Sequence, residues 1–257
     1  MRVAVGAVAA IALAYVAVCV FVFAIQRSLI YFPQPSSLGD RDTTVTLPAS
    51  GARVVASVRE RPGAKAVVYF GGNAEDVTLS IPGLAAAFPS HALYLLHYRG
   101  YGASGGTPSE AALVGDALAL FDLAQREHAS VEVVGRSLGS GIAVQVASAR
   151  PAARLVLVTP YDSLVAIASA QFPYLPVGWL LRDRFESDRH AARIGAPTLL
   201  IAADRDEVIP RASTERLLAR FKPGVATLRV VAGDHNSVSE QPDYGPILGG
   251  SAASEGR

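Results

Sequence analysis

The sequence predicts an α/β fold in which a mostly parallel central sheet of about eight strands carries helices on both faces. The apolar runs at 66–70 and 92–96 are continuous, which is typical of strands buried on both faces of a parallel sheet. From the first run onward, strand and helix patterns alternate three times in succession, as expected for right-handed parallel crossovers. The chain length fits one large domain of this class with a terminal appendage.

The predicted strands follow one another along the whole domain. Two alternating patterns separated by a Pro/Gly turn come first, and we expect them to form an antiparallel hairpin. The strand patterns lie at 43–47, 53–58, 66–70, 92–96, 131–134, 154–159, 198–203 and 226–231. Helix patterns lie between them at 74–88, 111–125, 140–149 and 210–221. The first of these helices is expected to be interrupted near Pro82.

An apolar segment precedes the domain. Residues 3–25 contain no charged side chain, and a helix of about 23 residues measures roughly 34 Å, enough to span a bilayer with some tilt. We therefore predict an uncleaved transmembrane anchor at 1–27, in a single-pass protein of the bacterial inner membrane. A cleavable signal peptide is the main alternative, but its apolar region is usually only about 7–15 residues long. The numbers of positive charges on the two sides of this segment are nearly equal, so they give little information on its orientation. We expect the domain to lie outside the cytoplasm.

The remaining boundaries follow from composition. Residues 28–42 contain prolines and a polar stretch and are predicted to be a linker, and the domain itself is predicted at 43–248. Residues 160–196 show no strand pattern and are predicted to form a small helical cap over the carboxyl ends of the strands, where such sheets bind ligands. The small and polar segment at 249–257 is predicted to be a disordered tail.

Composition excludes several classes of function. The formal net charge is +1, and no block of lysine and arginine occurs, so we expect no nucleic-acid partner. Cys19 is the only cysteine and lies in the apolar segment, which excludes a disulfide within the chain, a cysteine metal site and a catalytic thiol. No metal or other cofactor is expected, and the oligomeric state stays open.

One short turn, Gly135-Arg136-Ser137-Leu138-Gly139, carries the chemistry. It joins a β-branched strand pattern to an apolar helix pattern, which gives strand, G-x-S-x-G and helix. The two glycines allow the backbones of strand and helix to approach closely, so the serine is expected to be strained and its hydroxyl exposed. The start of the helix also favours developing negative charge. This arrangement predicts Ser137 as a nucleophile.

A serine nucleophile needs a base, and the base needs a carboxylate to orient it. His235 follows the last strand directly and is predicted to be the base, whereas His97 ends an earlier strand and could line the pocket. For the acid we favour Asp206, which lies several residues into the loop after the seventh strand pattern. Asp204 suits a turn or capping role better.

The tetrahedral oxyanion needs backbone donors. One is expected to be the N–H of Leu138, directly after the nucleophile. The second is expected from the turn Gly71-Gly72-Asn73 after the third strand, where two glycines allow close approach. We favour the N–H of Asn73 over that of Gly72.

Together these residues resemble the α/β-hydrolase superfamily from about 43 to 246. More narrowly, the chain resembles bacterial membrane-anchored serine hydrolases related to the bud-emergence-protein branch, to serine aminopeptidase and to monoglyceride-lipase-like hydrolases. The matching stretches are 26–33, 72–76, 98–106, 135–141, 206–210 and 234–236. The resemblance implies the α/β-hydrolase fold and a Ser-Asp-His order of catalytic residues. The family usually has His-Gly-Asn where this chain has Gly71-Gly72-Asn73, which puts substrate preference in doubt more than catalysis.

The sequence says little about the substrate. The anchor and an apolar cap favour a small or lipid-like acyl substrate, cleaved at an ester, thioester or amide bond through an acyl-enzyme. We assign substrate contacts to the residues Gly72, His97, Tyr98 and Trp179. A serine aminopeptidase is the alternative enzyme, with Glu186 or Asp188 capturing a peptide amine. A membrane-tethered scaffold without catalysis is the alternative outside enzymes.

Overall fold

The computed structural model describes residues 2–37, 43–49 and 51–250 of the 257-residue chain. The section of the predicted linker at 38–42 and the section of the predicted tail at 251–257 lie outside the described residues. The N-terminal segment forms one long helix, α1 (Arg2–Ile30). The remainder folds around a single sheet.

An eight-stranded sheet organises the described domain. Two of its neighbouring pairs, β1 with β2 and β2 with β4, are antiparallel, and the other five pairs are parallel. The order across the sheet is β1-β2-β4-β3-β5-β6-β7-β8. The strands are β1 (Thr44–Leu47), β2 (Val54–Arg59), β3 (Lys65–Phe70), β4 (Ala92–Leu96), β5 (Ser130–Arg136), β6 (Arg154–Val158), β7 (Thr198–Ala203) and β8 (Ala226–Val231). The predicted fold class and the entry hairpin are confirmed.

Helices cover both faces of this sheet, and successive strand residues supply a core to each face. Val68 and Val133 belong to one apolar cluster, and their neighbours Val67 and Val134 belong to the other, because side chains alternate along a strand. The first cluster includes residues of α3, α4 and α8, and the second includes residues of α2 and α9. These helices are α2 (Ile81–Ala87), α3 (Glu110–Glu127), α4 (Leu138–Ala149), α8 (Arg211–Leu218) and α9 (Tyr244–Gly249).

The segment between β6 and β7 contains three short helices and no strand, as the sequence predicts. They are α5 (Leu164–Gln171), α6 (Val177–Leu180) and α7 (Ser187–His190). Ser163 begins α5, and its side chain accepts a hydrogen bond from the N–H of Ala166. The segment from α5 to Asp183 faces α1 and is called the cap below.

The region predicted as a helix at 74–88 begins later than expected. Ala74 has a φ of +57°, which no helix residue adopts. The side chain of Asp76 then accepts from the N–H of Thr78 and starts a 3₁₀ turn, Val77–Ser80, that leads into α2. Pro82 lies in the first turn of α2, where its missing N–H costs nothing, so it does not interrupt the helix. Glu75 therefore lies outside the helix, and its side chain accepts hydrogen bonds from the surrounding residues Gly72 and Ser80.

Helix α9 was not anticipated by any sequence pattern. It packs against α2, and a side chain in place of Gly249 would collide with the carbonyl oxygen of Ala87. Its end at Gly250 has a left-handed backbone with φ of +76°, a usual helix termination by glycine. The predicted tail at 249–257 therefore begins on an ordered helix end.

Helix α1 is fixed to the cap by polar contacts near its C-terminal end. The side-chain amide of Gln26 donates to the carbonyl of Leu180 over 3.0 Å and accepts from the N–H of Arg182 over 2.7 Å. Arg27 forms an ion pair with the buried carboxylate of Asp183 at 2.9 Å. Farther along the helix, the Tyr15 hydroxyl donates to the carbonyl of Tyr174. The helix end therefore packs as part of the domain.

Alanine substitutions at two glycines test how closely helix and sheet approach each other. A Cβ atom at Gly139 would lie inside the contact distance of the backbone at Phe70 and Gly71, so we expect Gly139→Ala to lower the free energy of unfolding by about 3 kcal/mol or more. Gly115 lies in the middle of α3 with nothing within 4 Å of such an atom, and Gly115→Ala should raise that free energy by roughly 0.5–1 kcal/mol. Urea unfolding measures the free energy of unfolding of both variants. Similar values for the two would contradict the prediction.

Candidate active site

Ser137 lies at the tip of the turn between β5 and α4. Its φ of +49° and ψ of −118° are strained for a residue with a side chain. A Cβ atom at Gly135 would be only 2.5 Å from the side chain of Ala143, and one at Gly139 would collide with the end of β3. The two glycines of the G-x-S-x-G motif are therefore required by the close packing of α4, as the sequence predicts.

Three side chains form a hydrogen-bonded row at this turn. The Ser137 Oγ lies 2.9 Å from the Nε2 of His235, and the Nδ1 of His235 lies 2.9 Å from the Oδ2 of Asp206. Both side chains behind the serine are shielded, with exposed fractions of 10% for His235 and 3% for Asp206. Because the carboxylate accepts a hydrogen bond from Nδ1–H, the neutral ring presents its lone pair on Nε2 to the serine hydroxyl.

The loops that carry the acid and the histidine are held by their own backbone. The Oδ1 of Asp206 accepts from the N–H groups of Val208 and Ile209 at 2.9 and 2.7 Å, which orients the carboxylate. Asp204 instead accepts from the N–H of Gly233 at 2.8 Å and ties the two loops together, in the turn role expected for it. The structure thus brings Asp206, and not Asp204, to His235.

The two predicted oxyanion donors, Leu138 and Asn73, border the same cavity as Ser137. Leu138 is the first residue of α4, and N–H groups in the first turn of a helix have no acceptor within it. Asn73 borders the same cavity as Ser137. The N–H of Gly72 already donates to the Glu75 carboxylate over 2.6 Å, so it is occupied within its own loop. The geometry therefore favours Asn73 over Gly72 as the second donor.

An apolar cavity of about 280 Å³ opens above Ser137. Its walls are the last turns of α1, one face of α5, the segment from Phe172 to Leu181, and the loop residues Val208 and Ile209. No acidic or basic side chain is among the described residues that line it. Such a cavity, with few polar groups at one end, suits an apolar group attached to a reacting centre at the serine.

No family model matches the chain. The chain is 35% identical over 231 residues to the uncharacterized protein Rv2307c of Mycobacterium tuberculosis, covering 82% of this chain and 81% of that protein. It is 34% identical over 151 residues to the alpha/beta hydrolase domain-containing protein aho-3 of Caenorhabditis elegans, covering 57% and 44% of the two chains.

Solved structures share the fold at low sequence identity. An esterase of Pyrococcus furiosus superposes with a TM-score of 0.67 at 15% identity, over 86% of this chain and 97% of the esterase. Est1E of Butyrivibrio proteoclasticus, solved with ferulic acid bound, gives a TM-score of 0.65 at 13% identity, over 80% and 96% of the two chains. The chain has the α/β-hydrolase fold. The strand order and the Ser137 turn described above are those of this α/β-hydrolase fold.

A shielded ion pair next to Ser137 was not anticipated from the sequence. The carboxylate of Glu75 lies 3.1 Å from the Nη1 of Arg136, and the exposed side-chain fractions are 10% and 16%. Glu75 also accepts from the hydroxyls of Tyr69 and Ser80 and from the N–H of Gly72. The other end of the Arg136 guanidinium donates to the carbonyl of His235 over 3.4 Å. The pair connects the loop after β3, the Ser137 turn and the loop that carries His235.

None of the four residues assigned to the substrate, Gly72, His97, Tyr98 and Trp179, is among those that line the cavity at Ser137. The Trp179 side chain is 92% exposed and does not line it. The Tyr98 hydroxyl donates to the carbonyl of Gly71, so the ring supports the oxyanion loop from below. The ring of His97 is buried and shares a hydrogen bond with the hydroxyl of Ser57 at 2.8 Å. The described residues contain no group of three or more His, Cys, Asp or Glu side chains able to hold a metal.

Removing the charge of Glu75 tests the buried pair. We expect Glu75→Gln to lower the free energy of unfolding by about 2–4 kcal/mol, because the guanidinium of Arg136 then stays buried without its counter-charge. Glu215→Gln is the matched control, since its pair with Arg211 is about half exposed and should matter by less than about 0.5 kcal/mol. Urea unfolding at pH 7 measures both, and equal effects would contradict the assigned role.

The buried histidines predict how stability depends on pH. Burial lowers the pKa of His97 below its ordinary 6.5, against the opposing charge of Asp76, and burial also lowers the pKa of His91 and of His190. Below about pH 6.5 these histidines bind protons in the unfolded chain but not in the folded chain. The free energy of unfolding therefore falls as the pH drops toward 5. His97→Gln should reduce this slope without removing it. Urea midpoints at pH 7.5 and 5.5 check this, and an unchanged slope would contradict it.

Proposed function

We propose that the protein is a serine hydrolase that cleaves an acyl bond, with Ser137 as nucleophile, His235 as base and Asp206 as the orienting acid. The observation that carries the proposal is the hydrogen-bonded row from Asp206 through His235 to Ser137, which ends at the floor of an apolar cavity. A strained serine with a base at 2.9 Å fits nucleophilic catalysis. The two esterase-like structures of the same fold are consistent with this reaction class.

The reaction begins with attack of Ser137 Oγ on the acyl carbonyl carbon. His235 Nε2 takes the hydroxyl proton as the new C–O bond forms, and Asp206 stabilises the resulting imidazolium. The N–H groups of Leu138 and Asn73 bind the oxyanion of the tetrahedral intermediate. His235 then gives the proton to the leaving group, and the acyl-enzyme remains.

Water completes the cycle by the same steps in reverse. His235 removes a proton from a water molecule as it attacks the acyl-enzyme, and the collapse of the second tetrahedral intermediate returns the proton to Ser137 Oγ. The acid product then leaves through the cavity. Every group that this mechanism uses is a side chain or a backbone N–H of the chain.

The chemistry of the cavity favours esters of small or lipid-like acyl groups over peptides. A peptidase that captures an amine needs an acidic group near the reacting centre, and no such group lines the cavity within the described residues. Glu186 is paired with Arg184 and Arg189, and it does not border the cavity. Asp188 does not border it either. An aminopeptidase remains the alternative, and comparing an aminoacyl anilide with an acyl ester of equal size separates the two.

A single-pass attachment to the bacterial inner membrane by α1, with the domain outside the cytoplasm, is part of the proposal. The stretch Val3–Ile30 is the one helix in the described chain that is long and apolar enough to cross a bilayer. A signal sequence can be equally long and apolar, so the N-terminus of the mature protein distinguishes an uncleaved anchor from a cleaved signal sequence. Intact-protein mass spectrometry of membrane fractions gives that answer directly.

Labelling with a serine-directed fluorophosphonate probe tests the nucleophile. We expect the purified wild-type protein to be labelled, Ser137→Ala to be unlabelled, and His235→Ala to lose at least about 10³-fold in labelling rate. Asp206→Asn should cost about 10³–10⁴-fold, because the histidine then loses its charged partner and its correct tautomer.

Two variants serve as matched controls for this experiment. Asp204→Asn keeps the acceptor for the N–H of Gly233, and Ser148→Ala removes a serine on the same helix α4 that does not border the cavity. Both should be labelled within about twofold of wild type. A folded wild-type protein that is not labelled would favour the scaffold alternative, and labelling that persists in Ser137→Ala would place the nucleophile elsewhere.

A further inference from the structure

We propose that helix α1 forms one wall of the acyl site, and that the substrate is a single-chain acyl ester drawn from the membrane surface into the space between α1 and the cap. This inference rests on the proposed serine hydrolase function and names its substrate class. It starts from four residues at the end of α1 that border the cavity at Ser137, namely Val22, Gln26, Leu29 and Ile30. Their spacing of i, i+4, i+7 and i+8 defines one face of a helix.

A second wall has the same helical spacing. Leu164, Ile167, Ala168 and Gln171 of α5 also border the cavity, at i, i+3, i+4 and i+7. The two helical stripes line one apolar space, which Ser137 also borders. At roughly 30 Å³ for each water-sized group, about 280 Å³ holds about nine such groups. This volume matches one acyl chain of medium length.

The end of α1 also contacts the oxyanion loop directly. The side-chain amide of Asn73 donates to the carbonyl of Ile30 over 2.7 Å, and its oxygen accepts from the N–H of Phe32 over 3.0 Å. The same residue is the proposed second oxyanion donor. The position of α1 therefore influences both the space for the acyl chain and the orientation of Asn73.

The geometry of α1 places this space at the surface of a bilayer. From Val3 to Val22 the helix is about 30 Å long, which matches the hydrocarbon thickness of a membrane. The cavity then begins where the hydrocarbon ends. Tyr174 contacts α1 at Tyr15, about 10 Å along the axis toward the membrane, a depth typical of interfacial segments.

The outer surface of the cap has the composition expected for that position. Phe172, Tyr174 and Trp179 have exposed fractions of 51%, 88% and 92%, so the cap presents three aromatic side chains to its surroundings. Such rings are enriched where proteins meet the interface of a bilayer. The guanidinium of Arg182 stacks on the ring of Phe23, 4.0 Å from its centroid, and remains able to reach headgroups. An amphiphilic ester in the outer part of the bilayer can therefore enter between α1 and the cap.

Filling the α1 wall tests the acyl path. Full-length protein in detergent is assayed with p-nitrophenyl esters from acetate to decanoate, comparing Leu29→Trp with Val8→Trp, which changes α1 far from the cavity. We expect the octanoate-to-acetate ratio of kcat/KM to fall at least about tenfold in Leu29→Trp and to stay within about twofold of wild type in Val8→Trp. Leu29→Ala is a second variant and should shift the preferred chain to a longer one.

The result separates this inference from the proposed function. If the wild type hydrolyses the esters but neither Leu29 variant changes the chain-length profile, α1 is not a wall of the acyl site and the inference is overturned. If the wild type neither hydrolyses any ester nor reacts with a fluorophosphonate, the proposed function itself fails.

The only tryptophan of the chain, Trp179, reports the membrane contact without any assay of activity. Wild-type protein is reconstituted in phosphatidylcholine vesicles with and without brominated acyl chains. We expect brominated lipid to quench the Trp179 fluorescence at least about twofold, because the side chain lies at the bilayer interface. Iodide quenching from the aqueous phase with no effect of brominated lipid would overturn the membrane-facing orientation of the cap.

Discussion

The close packing of α4 against the end of β3 is the constraint on which the candidate site depends. Gly139 lies so near the carbonyls of Phe70 and Gly71 that no side chain fits there. This contact forces a sharp turn between β5 and α4, and the turn holds Ser137 in a backbone conformation that side-chain residues rarely adopt. It also brings the loop after β3, which contains Asn73, to the start of α4. The proposed nucleophile and the proposed oxyanion donors are thus positioned by one packing interaction.

Electrostatics connects the remaining loops to this turn. The Arg136 side chain points back from the turn and joins the carboxylate of Glu75 to the carbonyl of His235. A buried ion pair gains little stability over apolar packing, but losing one partner leaves the other charge uncompensated, so the arrangement is specific. These contacts connect the loops after β3 and β8 to the residue before Ser137.

The sequence predicts the sheet and the row of three side chains for reasons that are local. Buried strands read as apolar runs, and Ser137, Asp206 and His235 each follow a strand whose end lies at the same edge of the sheet. The ion pair of Glu75 could not be predicted, because its partner Arg136 is 61 positions away in the sequence and the residues around Glu75 suggest a helix. The side-chain directions of His97 and Tyr98 could not be read from a strand end, because successive residues point to opposite faces. The contact of α1 with the cavity could not be predicted either. A helix that is apolar all round has no polar and apolar faces to indicate which side packs against the domain.

The proposed mechanism requires a covalent intermediate at Ser137, and trapping that intermediate tests it most directly. Purified wild-type protein is mixed rapidly with a p-nitrophenyl ester, and the release of p-nitrophenol is followed before the steady state while quenched samples are digested for mass spectrometry. We expect a burst close to one equivalent of enzyme and an acyl group on the peptide that contains Ser137. Turnover of the ester with no acylated peptide at any time, or with the acyl group on another residue, would contradict the account.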